Sequence, residues 1–298
     1  MLIIGGSGFI GTHLALKLRD SYKVYATYRK HRIAIPGATL LPFNVDNRNW
    51  VKHVVYAARP DVIIFAAGSN DAEWAEANAR FAEHIHTGGA AMVSNVADIL
   101  QPKFIYLSNC YTFDGMRGNY HETDTVLPFT ALGKAKLGGE NFIRGKSLNY
   151  VILRSSPVFG RGNGLSLSFI DSLRMKLDRH ERIEISDREL HSFTPVDGLI
   201  DLITRVMESG IKNKILHYGG LTKVTHLEFA RQFAKKFGYD PSLIVPRQEQ
   251  QKKGRKSNID QTYDFSLNST QVTEILKVKP LLLEEGLDLV EKKLVSGF

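Results

Sequence analysis

Short runs of apolar, often β-branched residues alternate along the chain with longer segments that have helical spacing of apolar positions. The apolar runs predict strands at Leu2–Ile4, Lys23–Tyr28, Thr39–Phe43, Asp61–Ala67, Lys103–Ser108, Tyr150–Arg154 and Lys214–Tyr218. The segments between them predict helices that include Ile10–Asp20, Trp50–Arg59, Trp74–Leu100 and Lys134–Arg144. The strand runs are apolar throughout, which is typical of parallel strands covered by helices on both faces.

The repeated order of strand, helix and strand predicts an α/β fold with a doubly wound parallel sheet. After about Gly160 the alternation loosens, and longer polar loops appear at 161–164 and 244–257. We therefore expect residues 1–160 to form the sheet domain. We expect residues 161–298 to form a smaller mixed lobe over its carboxyl edge, with 195–220 returning to the sheet. The sequence has no Pro/Gly/Ser-rich linker, which argues against a separate second domain.

Composition adds three constraints. The 298 residues include 39 Lys and Arg against 31 Asp and Glu, so the formal charge of +8 suggests an anionic partner. The single cysteine, Cys110, excludes a disulfide framework and a multi-cysteine zinc site, and we interpret it as a small buried thiol. No apolar run reaches the roughly 18 residues of a membrane span, and we expect a cytoplasmic protein without membrane contact.

A glycine pattern follows the first predicted strand. Gly5, Gly8 and Gly11 have the spacing G-x-x-G-x-x-G between a strand and a helix. Glycine at these positions permits a tight turn, the approach of a pyrophosphate to the backbone, and close packing of the helix on the sheet. The helix N-terminus then directs its N–H groups at the phosphates. The pattern predicts a Rossmann dinucleotide site lined by Gly5, Ser7, Gly8, Phe9, Ile10 and Gly11.

The end of the second predicted strand bears on which dinucleotide is bound. An NAD site usually has an acidic residue there, which holds the ribose 2′-hydroxyl, whereas this strand ends in Arg29 and Lys30. Two cations favour the 2′-phosphate of NADP(H) over NAD(H), although they could also form only a solvated turn. Further cofactor contacts are expected after the third and fourth strands, at Asn44, Val45, Ala66, Ala67 and Gly68.

Segments spread over the whole chain resemble the extended short-chain dehydrogenases/reductases, and most closely the dTDP-4-dehydrorhamnose reductase branch. Besides the glycine loop they include LSNCYTFDG at Leu107–Gly115, YHETD at Tyr120–Asp124, LGKAKLGGE at Leu132–Glu140, LRSSPVFG at Leu153–Gly160 and FTPVDGLIDLI at Phe193–Ile203. The resemblance implies a Rossmann fold, an NAD(P) cofactor, and a nucleotide-sugar substrate held under the C-terminal lobe.

The catalytic positions depart from that family. The resemblance implies a tyrosine that donates a proton, a Ser or Thr that assists it, an Asn, and a lysine four residues after the tyrosine. Here Leu132 stands at the tyrosine position, Asn109 at the Ser/Thr position and His86 at the Asn position. Lys136 alone matches, and the resemblance implies that it contacts the cofactor ribose.

A replacement donor is needed if the chain is catalytic, because leucine cannot donate a proton. In an extended segment Tyr111 would point to the same side as Asn109, which makes it the leading candidate. Tyr120 and His86 are weaker candidates, and Tyr111 could also be an ordinary packed aromatic residue.

Two further features concern ligands. His84 and His86 lie two apart on a predicted helix and do not face each other, so no metal site is expected. The basic segment Arg247–Ser257 corresponds by resemblance to a clamp on the substrate's pyrophosphate, with Arg255 the best single candidate. That segment contains no aromatic residue, which disfavours nucleic-acid binding.

Two functions remain open from the sequence. The first is an NADP(H)-dependent reductase or epimerase-like enzyme for a nucleotide-linked sugar, favoured by the glycine loop and Lys136. The second is a non-catalytic, cofactor-binding regulatory or partner subunit, like the regulatory β subunit of methionine adenosyltransferase in the same branch. The loss of both the Tyr and the Ser/Thr favours it. The sequence is compatible with a homo-oligomer or with a complex with another protein.

Overall fold

A seven-stranded parallel sheet forms the centre of the computed structural model, which describes residues 1–146, 149–164, 167–248 and 262–296. Its strands are β1 (Leu2–Ile4), β2 (Val24–Tyr28), β3 (Ala38–Pro42), β4 (Val62–Phe65), β5 (Lys103–Asn109), β6 (Tyr150–Ser155) and, numbered in chain order, β11 (Lys214–Tyr218). Their order across the sheet is β3-β2-β1-β4-β5-β6-β11, and every neighbouring pair is parallel. The predicted doubly wound fold is confirmed.

Helices cover both faces of this sheet because successive strand residues point to opposite sides. On one face Ile3 packs with α1 (Phe9–Leu18), α8 (Val196–Glu208) and α10 (Thr270–Leu276). On the other face Leu2 and Ile4 pack with α2 (Arg48–Ala58), α5 (Ala90–Ala97) and α6 (Ala131–Lys146). Each fully buried aliphatic side chain contributes about 1.5–3 kcal/mol, so these two layers hold the strand ends in place.

The segment predicted as one helix from Trp74 to Leu100 is broken, and that prediction is wrong. It contains α3 (Ala72–Ala77), α4 (Ala79–Glu83), a π-helical turn (His84–Gly89), α5 and a 3₁₀ turn (Asp98–Leu100). The first break lies at Asn78, whose φ of −129° and ψ of 42° leave the helical region. The wider π turn is held by contacts with both α6 and β5, since Thr87 Oγ1 donates to the Ala135 carbonyl oxygen (2.8 Å) and Tyr106 Oη donates to the His86 carbonyl oxygen (2.9 Å).

The remaining strands and helices lie outside the central sheet, and the strands pair in smaller sheets of their own. They are β7 (Val158–Phe159), α7 (Phe169–Asp178), β8 (Ile183–Ile185), β9 (Glu189–His191), β10 (Thr194–Pro195), β12 (Val224–Thr225), α9 (His226–Lys236), β13 (Ile244–Pro246), β14 (Tyr263–Asp264) and α11 (Leu283–Ser296). Phe159, Phe193, Phe229 and Leu287 share one apolar core there. Ser168 and Thr225 form capping boxes that fix where α7 and α9 begin. Among the helices that the structure describes, none combines the length and apolar character needed to cross a bilayer.

Candidate active site

The glycine loop forms a cradle at the carboxyl end of β1. Gly5 has a φ of +88°, and a Cβ there would lie 2.7 Å from the backbone nitrogen of Ala67. A Cβ on Gly11 would clash with the Gly5 carbonyl oxygen and lie 2.7 Å from Gly6 Cα. Thr27 holds the loop from the side, because its Oγ1 accepts a hydrogen bond from Gly5 N at 2.9 Å. The cradle therefore exposes backbone, with α1 starting at Phe9 just behind it.

This cradle lies where the direction of strand order changes. β1 pairs with β2 on one side and with β4 on the other, so the loops after β1 and β4 diverge and leave a crevice. Ala67 and Gly68 form the second wall, since they follow β4 directly. In open α/β sheets ligands bind at such a switch point, outside the carboxyl ends of the strands.

Two buried polar atoms at this edge lack a hydrogen-bond partner within the described part of the chain: His86 Nδ1 and Asn109 Nδ2. His86 Nε2 donates to the Ser69 carbonyl oxygen at 2.9 Å, and burial together with Lys136 sets the pKa of His86 well below its usual value. His86 is therefore neutral, and its Nδ1 is an acceptor. An orphaned acceptor and an orphaned amide donor, next to a cradle of bare backbone, fit a nicotinamide dinucleotide.

Arg29 follows β2 but is not isolated. Its Nη2 lies 3.8 Å from Asp46 Oδ2, its guanidinium lies 5.3 Å from the ring centroid of Phe81, and His84 also bonds to Asp46. The second strand does not end in an acidic residue, but Asp46, which follows β3, places a carboxylate beside Arg29. Lys30 is exposed, Asn44 Oδ1 accepts from Asp46 N, and Val45 packs beneath Gly89.

Lys136 lies inside the protein, one turn into α6. Its Nζ donates to the Leu107 carbonyl oxygen at 2.8 Å and lies 5.5 Å from the Tyr106 ring centroid. Burial lowers the pKa of Lys136 to about 7, while the nearby Glu140 carboxylate acts in the opposite direction. Leu132, one turn earlier, is fully buried in an apolar cluster with Tyr111. The Leu132 side chain thus fills apolar space.

A lysine of this kind makes stability depend on pH. At pH 6 the folded and unfolded chains both carry the Lys136 proton, whereas at pH 8 mainly the unfolded chain does. Because the unfolded state then binds more protons, Lys136 should raise the unfolding free energy by about 1.4 kcal/mol from pH 6 to pH 8. In the Lys136→Met variant, the rise in unfolding free energy from pH 6 to pH 8 should be smaller by about 1.4 kcal/mol, as measured by urea unfolding at the two pH values.

The matched control is Lys134→Met, since Lys134 is exposed on the same helix. It should keep the pH dependence of the unmodified protein. An identical pH dependence in Lys136→Met and the unmodified protein would contradict the lowered pKa.

The segment after β5 is not extended, so the expected extended backbone from Asn109 to Tyr111, from which Tyr111 was predicted as proton donor, is wrong. Cys110–Thr112 form a 3₁₀ turn, in which Asn109 Oδ1 accepts from Tyr111 N at 3.1 Å. Tyr111 is nevertheless directed at a partner: its hydroxyl donates to Glu189 Oε2 at 2.7 Å. Burial and the Glu189 carboxylate raise the pKa of Tyr111 well above its usual value, so the phenol stays protonated.

Glu189 belongs to a group that the sequence did not reveal. His191 Nε2 lies 3.1 Å from the same Glu189 oxygen, and the ring centroids of His191 and His226 are 5.0 Å apart. Burial alone would raise the pKa of Glu189, but the hydrogen bonds from His191 and Tyr111 outweigh it and lower the pKa. The available signal was Glu189-Leu190-His191, because residues two apart on a strand share a face.

The other candidates are placed as follows. Tyr120 stacks on Phe113 with ring centroids 4.2 Å apart, and its hydroxyl donates to Asp114. Cys110 is buried, its Sγ lies 3.7 Å from His191 Nδ1, and burial raises the pKa of its thiol. His84 and His86 bond in different directions, to Asp46 and to Ser69. Arg255 lies outside the described residues.

Comparison with known proteins gives this site a context. The chain is 24% identical to a dTDP-4-dehydrorhamnose reductase of Mycobacterium tuberculosis (strain ATCC 25618 / H37Rv), over 83% of this chain and 78% of the relative. A dTDP-4-dehydrorhamnose reductase from Bacillus anthracis in complex with NADP superposes with a TM-score of 0.78 at 21% identity, covering 98% of this chain and 97% of that one.

A UDP-glucose 4-epimerase from Thermotoga maritima with UDP-glucose superposes with a TM-score of 0.81, again at 21% identity, covering 99% and 98% of the two chains. At these identities the superpositions establish the shared fold. The family model described as the RmlD substrate binding domain matches residues 1–291, almost the whole chain. The protein therefore belongs to the RmlD substrate-binding-domain family.

Proposed function

We propose that this protein is an NADP(H)-dependent reductase of a nucleotide-linked keto sugar, with a proton donor different from that of its relatives. The observation that carries the proposal is Asn109 Nδ2, a buried amide donor without a partner among the described residues, at the same sheet edge as the glycine cradle. A buried donor left unpaired costs about 1–3 kcal/mol, so its retention is explained best by a ligand oxygen that accepts from it.

The substrate class rests on the family and on charge. The Mycobacterium tuberculosis relative is named a dTDP-4-dehydrorhamnose reductase, and one structural neighbour holds UDP-glucose. The chain's formal charge of +8 suits a ligand whose pyrophosphate carries negative charge. We infer a nucleotide-linked 4-keto sugar, bound between the sheet edge and the elements packed over it.

Reduction of a ketone needs a hydride on carbon and a proton on oxygen. A bound nicotinamide dinucleotide would supply the hydride. Leu132 cannot supply the proton, but Tyr111 lies in the same buried cluster, and Gly133 packs so closely on the Tyr111 carbonyl that a Cβ would overlap it. In the proposal the Tyr111 hydroxyl gives its proton to the substrate oxygen, Asn109 Nδ2 donates a hydrogen bond to that oxygen, and water reprotonates the phenolate.

The proposal is tested with NADPH and a panel of dTDP-, UDP- and GDP-linked 4-keto sugars, by loss of absorbance at 340 nm. We expect turnover with at least one of them. Tyr111→Phe should lower kcat by about 10²–10⁴-fold while NADPH still binds, because only the proton donor is lost. The matched control is Tyr120→Phe, because the Tyr120 hydroxyl bonds to Asp114. This variant should keep the kcat of the unmodified protein.

Tight NADPH binding without turnover of any sugar would contradict the reductase proposal and favour a non-catalytic, cofactor-binding subunit. The double variant Leu132→Tyr with Asn109→Thr distinguishes that outcome further. Turnover that appears only in this double variant would mean that the natural chain has lost catalysis.

Cofactor preference gives a separate prediction. We expect NADPH to bind more tightly than NADH, and Arg29→Ala to weaken NADPH binding by about 10–100-fold without affecting NADH, since a hydrogen bond to a charged group contributes about 1.5–3 kcal/mol. Calorimetric titration of both cofactors measures this. Arg32→Ala is the control, because Arg32 is also exposed and lies three residues further on. Equal affinities for NADPH and NADH in the unmodified protein would contradict the preference.

A further inference from the structure

We propose that Glu189, His191 and His226 bind one divalent transition-metal ion, with Zn²⁺ as the best match. One ligand atom from each of the three residues lies within 4.8 Å of the other two. Two imidazole nitrogens and one carboxylate oxygen are a donor set found in catalytic zinc sites, where a fourth position stays open. Magnesium, which prefers oxygen ligands, fits this set poorly.

The fold brings these residues together by backbone pairing. Glu189 and His191 are two apart on β9 and so share one face of it. The antiparallel pairing of Val224 with His191 and of Thr225 with Leu190 then places His226, the first residue of α9, beside that face. The Thr225 capping box fixes where α9 begins, and thereby the position of the His226 backbone.

The distances between the ligand atoms suit a tetrahedrally coordinated ion. His191 Nε2 and Glu189 Oε2 are 3.1 Å apart, and ligand atoms on bonds of about 2.0–2.1 Å are roughly 3.4 Å apart in a tetrahedron. These two side chains therefore need to move by only a few tenths of an ångström. The His191 and His226 ring centroids are 5.0 Å apart and the rings are nearly perpendicular, at 81°, with a ligand atom of His226 within 4.8 Å of the other two.

Neighbouring groups fit a bound ion as well. With a metal on Nε2, His191 carries its remaining proton on Nδ1, which lies 3.7 Å from Cys110 Sγ and can donate to it, as metal-bound histidines usually donate to a second group. The Tyr111 hydroxyl, 2.7 Å from Glu189 Oε2, orients that carboxylate. Arg247, the nearby cation, is paired with Glu73. This site is distinct from His84 and His86, for which the sequence predicts no metal binding.

Metal binding is measured on the full-length protein without a histidine tag, after chelator treatment and dialysis, so the result does not depend on reductase activity. Calorimetric titration with ZnCl₂ should show one Zn²⁺ per chain, and MgCl₂ should show no binding. His226→Ala and Glu189→Gln should each weaken Zn²⁺ binding by more than about 100-fold, because even loss of an outer partner typically costs 10–100-fold. Both side chains are only partly buried, so we expect these variants to fold.

His53→Ala is the matched control, since His53 is exposed on α2, and it should bind Zn²⁺ as the unmodified protein does. Co²⁺ gives a readout that needs no variant: a four-coordinate site should produce intense visible absorption at one equivalent. The proposal is overturned if Zn²⁺ does not bind stoichiometrically, if His226→Ala and Glu189→Gln bind it as the unmodified protein does, or if Co²⁺ shows only the weak spectrum of the hydrated ion.

Discussion

Glutamine in place of Glu140 is expected to lower the free energy of unfolding by about 3–5 kcal/mol, which is typical when one partner of a buried ion pair is removed. The Glu140 and Arg154 side chains are 0% and 2% exposed. Glu140 accepts hydrogen bonds from Arg154 Nε (2.9 Å), Arg154 Nη2 (2.6 Å) and Ser108 Oγ (2.5 Å). The substitution removes the carboxylate that is paired with this buried guanidinium.

His217 does not replace that charge. Arg154 Nη1 lies 3.4 Å from His217 Nε2, but burial and Arg154 itself lower the pKa of His217 to about 3, so this histidine is neutral. The guanidinium otherwise lies 5.2 Å from the Phe113 ring centroid. The unfolding free energies of Glu140→Gln and the unmodified protein are measured by urea unfolding monitored by circular dichroism.

Glu181→Gln is the control, because its partner Arg179 is exposed and the two charges are 3.7 Å apart at the surface. An exposed pair contributes about 0.2–1 kcal/mol, so this variant should change little. Equal losses in Glu140→Gln and Glu181→Gln would contradict the importance of burial.

The second large effect is expected for Gly11→Ala. The added Cβ would clash with the Gly5 carbonyl oxygen and come within 2.7 Å of Gly6 Cα, and backbone atoms cannot move aside as a flexible side chain can. We expect the loop to be pushed from its position, NADPH affinity to fall by more than about tenfold, and the unfolding free energy to fall by about 1–3 kcal/mol. Calorimetric titration and urea unfolding measure the two effects.

Gly145→Ala is the matched control, since Gly145 also lies in a helix, α6, and a Cβ there would have nothing within 4 Å. It should stabilise the protein by about 0.5–1 kcal/mol, because alanine has the better helix propensity. Equal NADPH affinities in Gly11→Ala and Gly145→Ala would contradict a role for the close packing of Gly11 against Gly5 and Gly6.

The strands and the start of α1 were predictable because their determinants are local. Continuous apolar runs locate all seven strands of the central sheet to within two residues. The break in the segment 74–100 was not predictable in this way. Its π turn is held by Tyr106, on β5, and by a bond from Thr87 to α6, both contacts with distant parts of the chain.

The residues of the candidate site likewise differ in whether a local sequence pattern could locate them. Lys136 and Leu132 could be placed by motif, since both lie on α6 within the segment that resembles the family. The bond between Tyr111 and Glu189 spans 78 residues, and the approach of His226 depends on strand pairing, so neither has a local signal. The contact of Arg29 with Asp46 is of the same kind, because β2 and β3 must pair before it forms.

The position of β11 has a consequence for how the chain folds during synthesis. β6 ends at Ser155, but the strand that pairs with its outer edge is Lys214–Tyr218. Until that later segment has left the ribosome, β6 presents unpaired N–H and C=O groups, which is the kind of edge that invites association with other chains. A fragment that ends near residue 160 would keep this edge permanently. In the sheet that carries the glycine cradle, β6 therefore stays an edge strand until β11, made about sixty residues after β6, covers it.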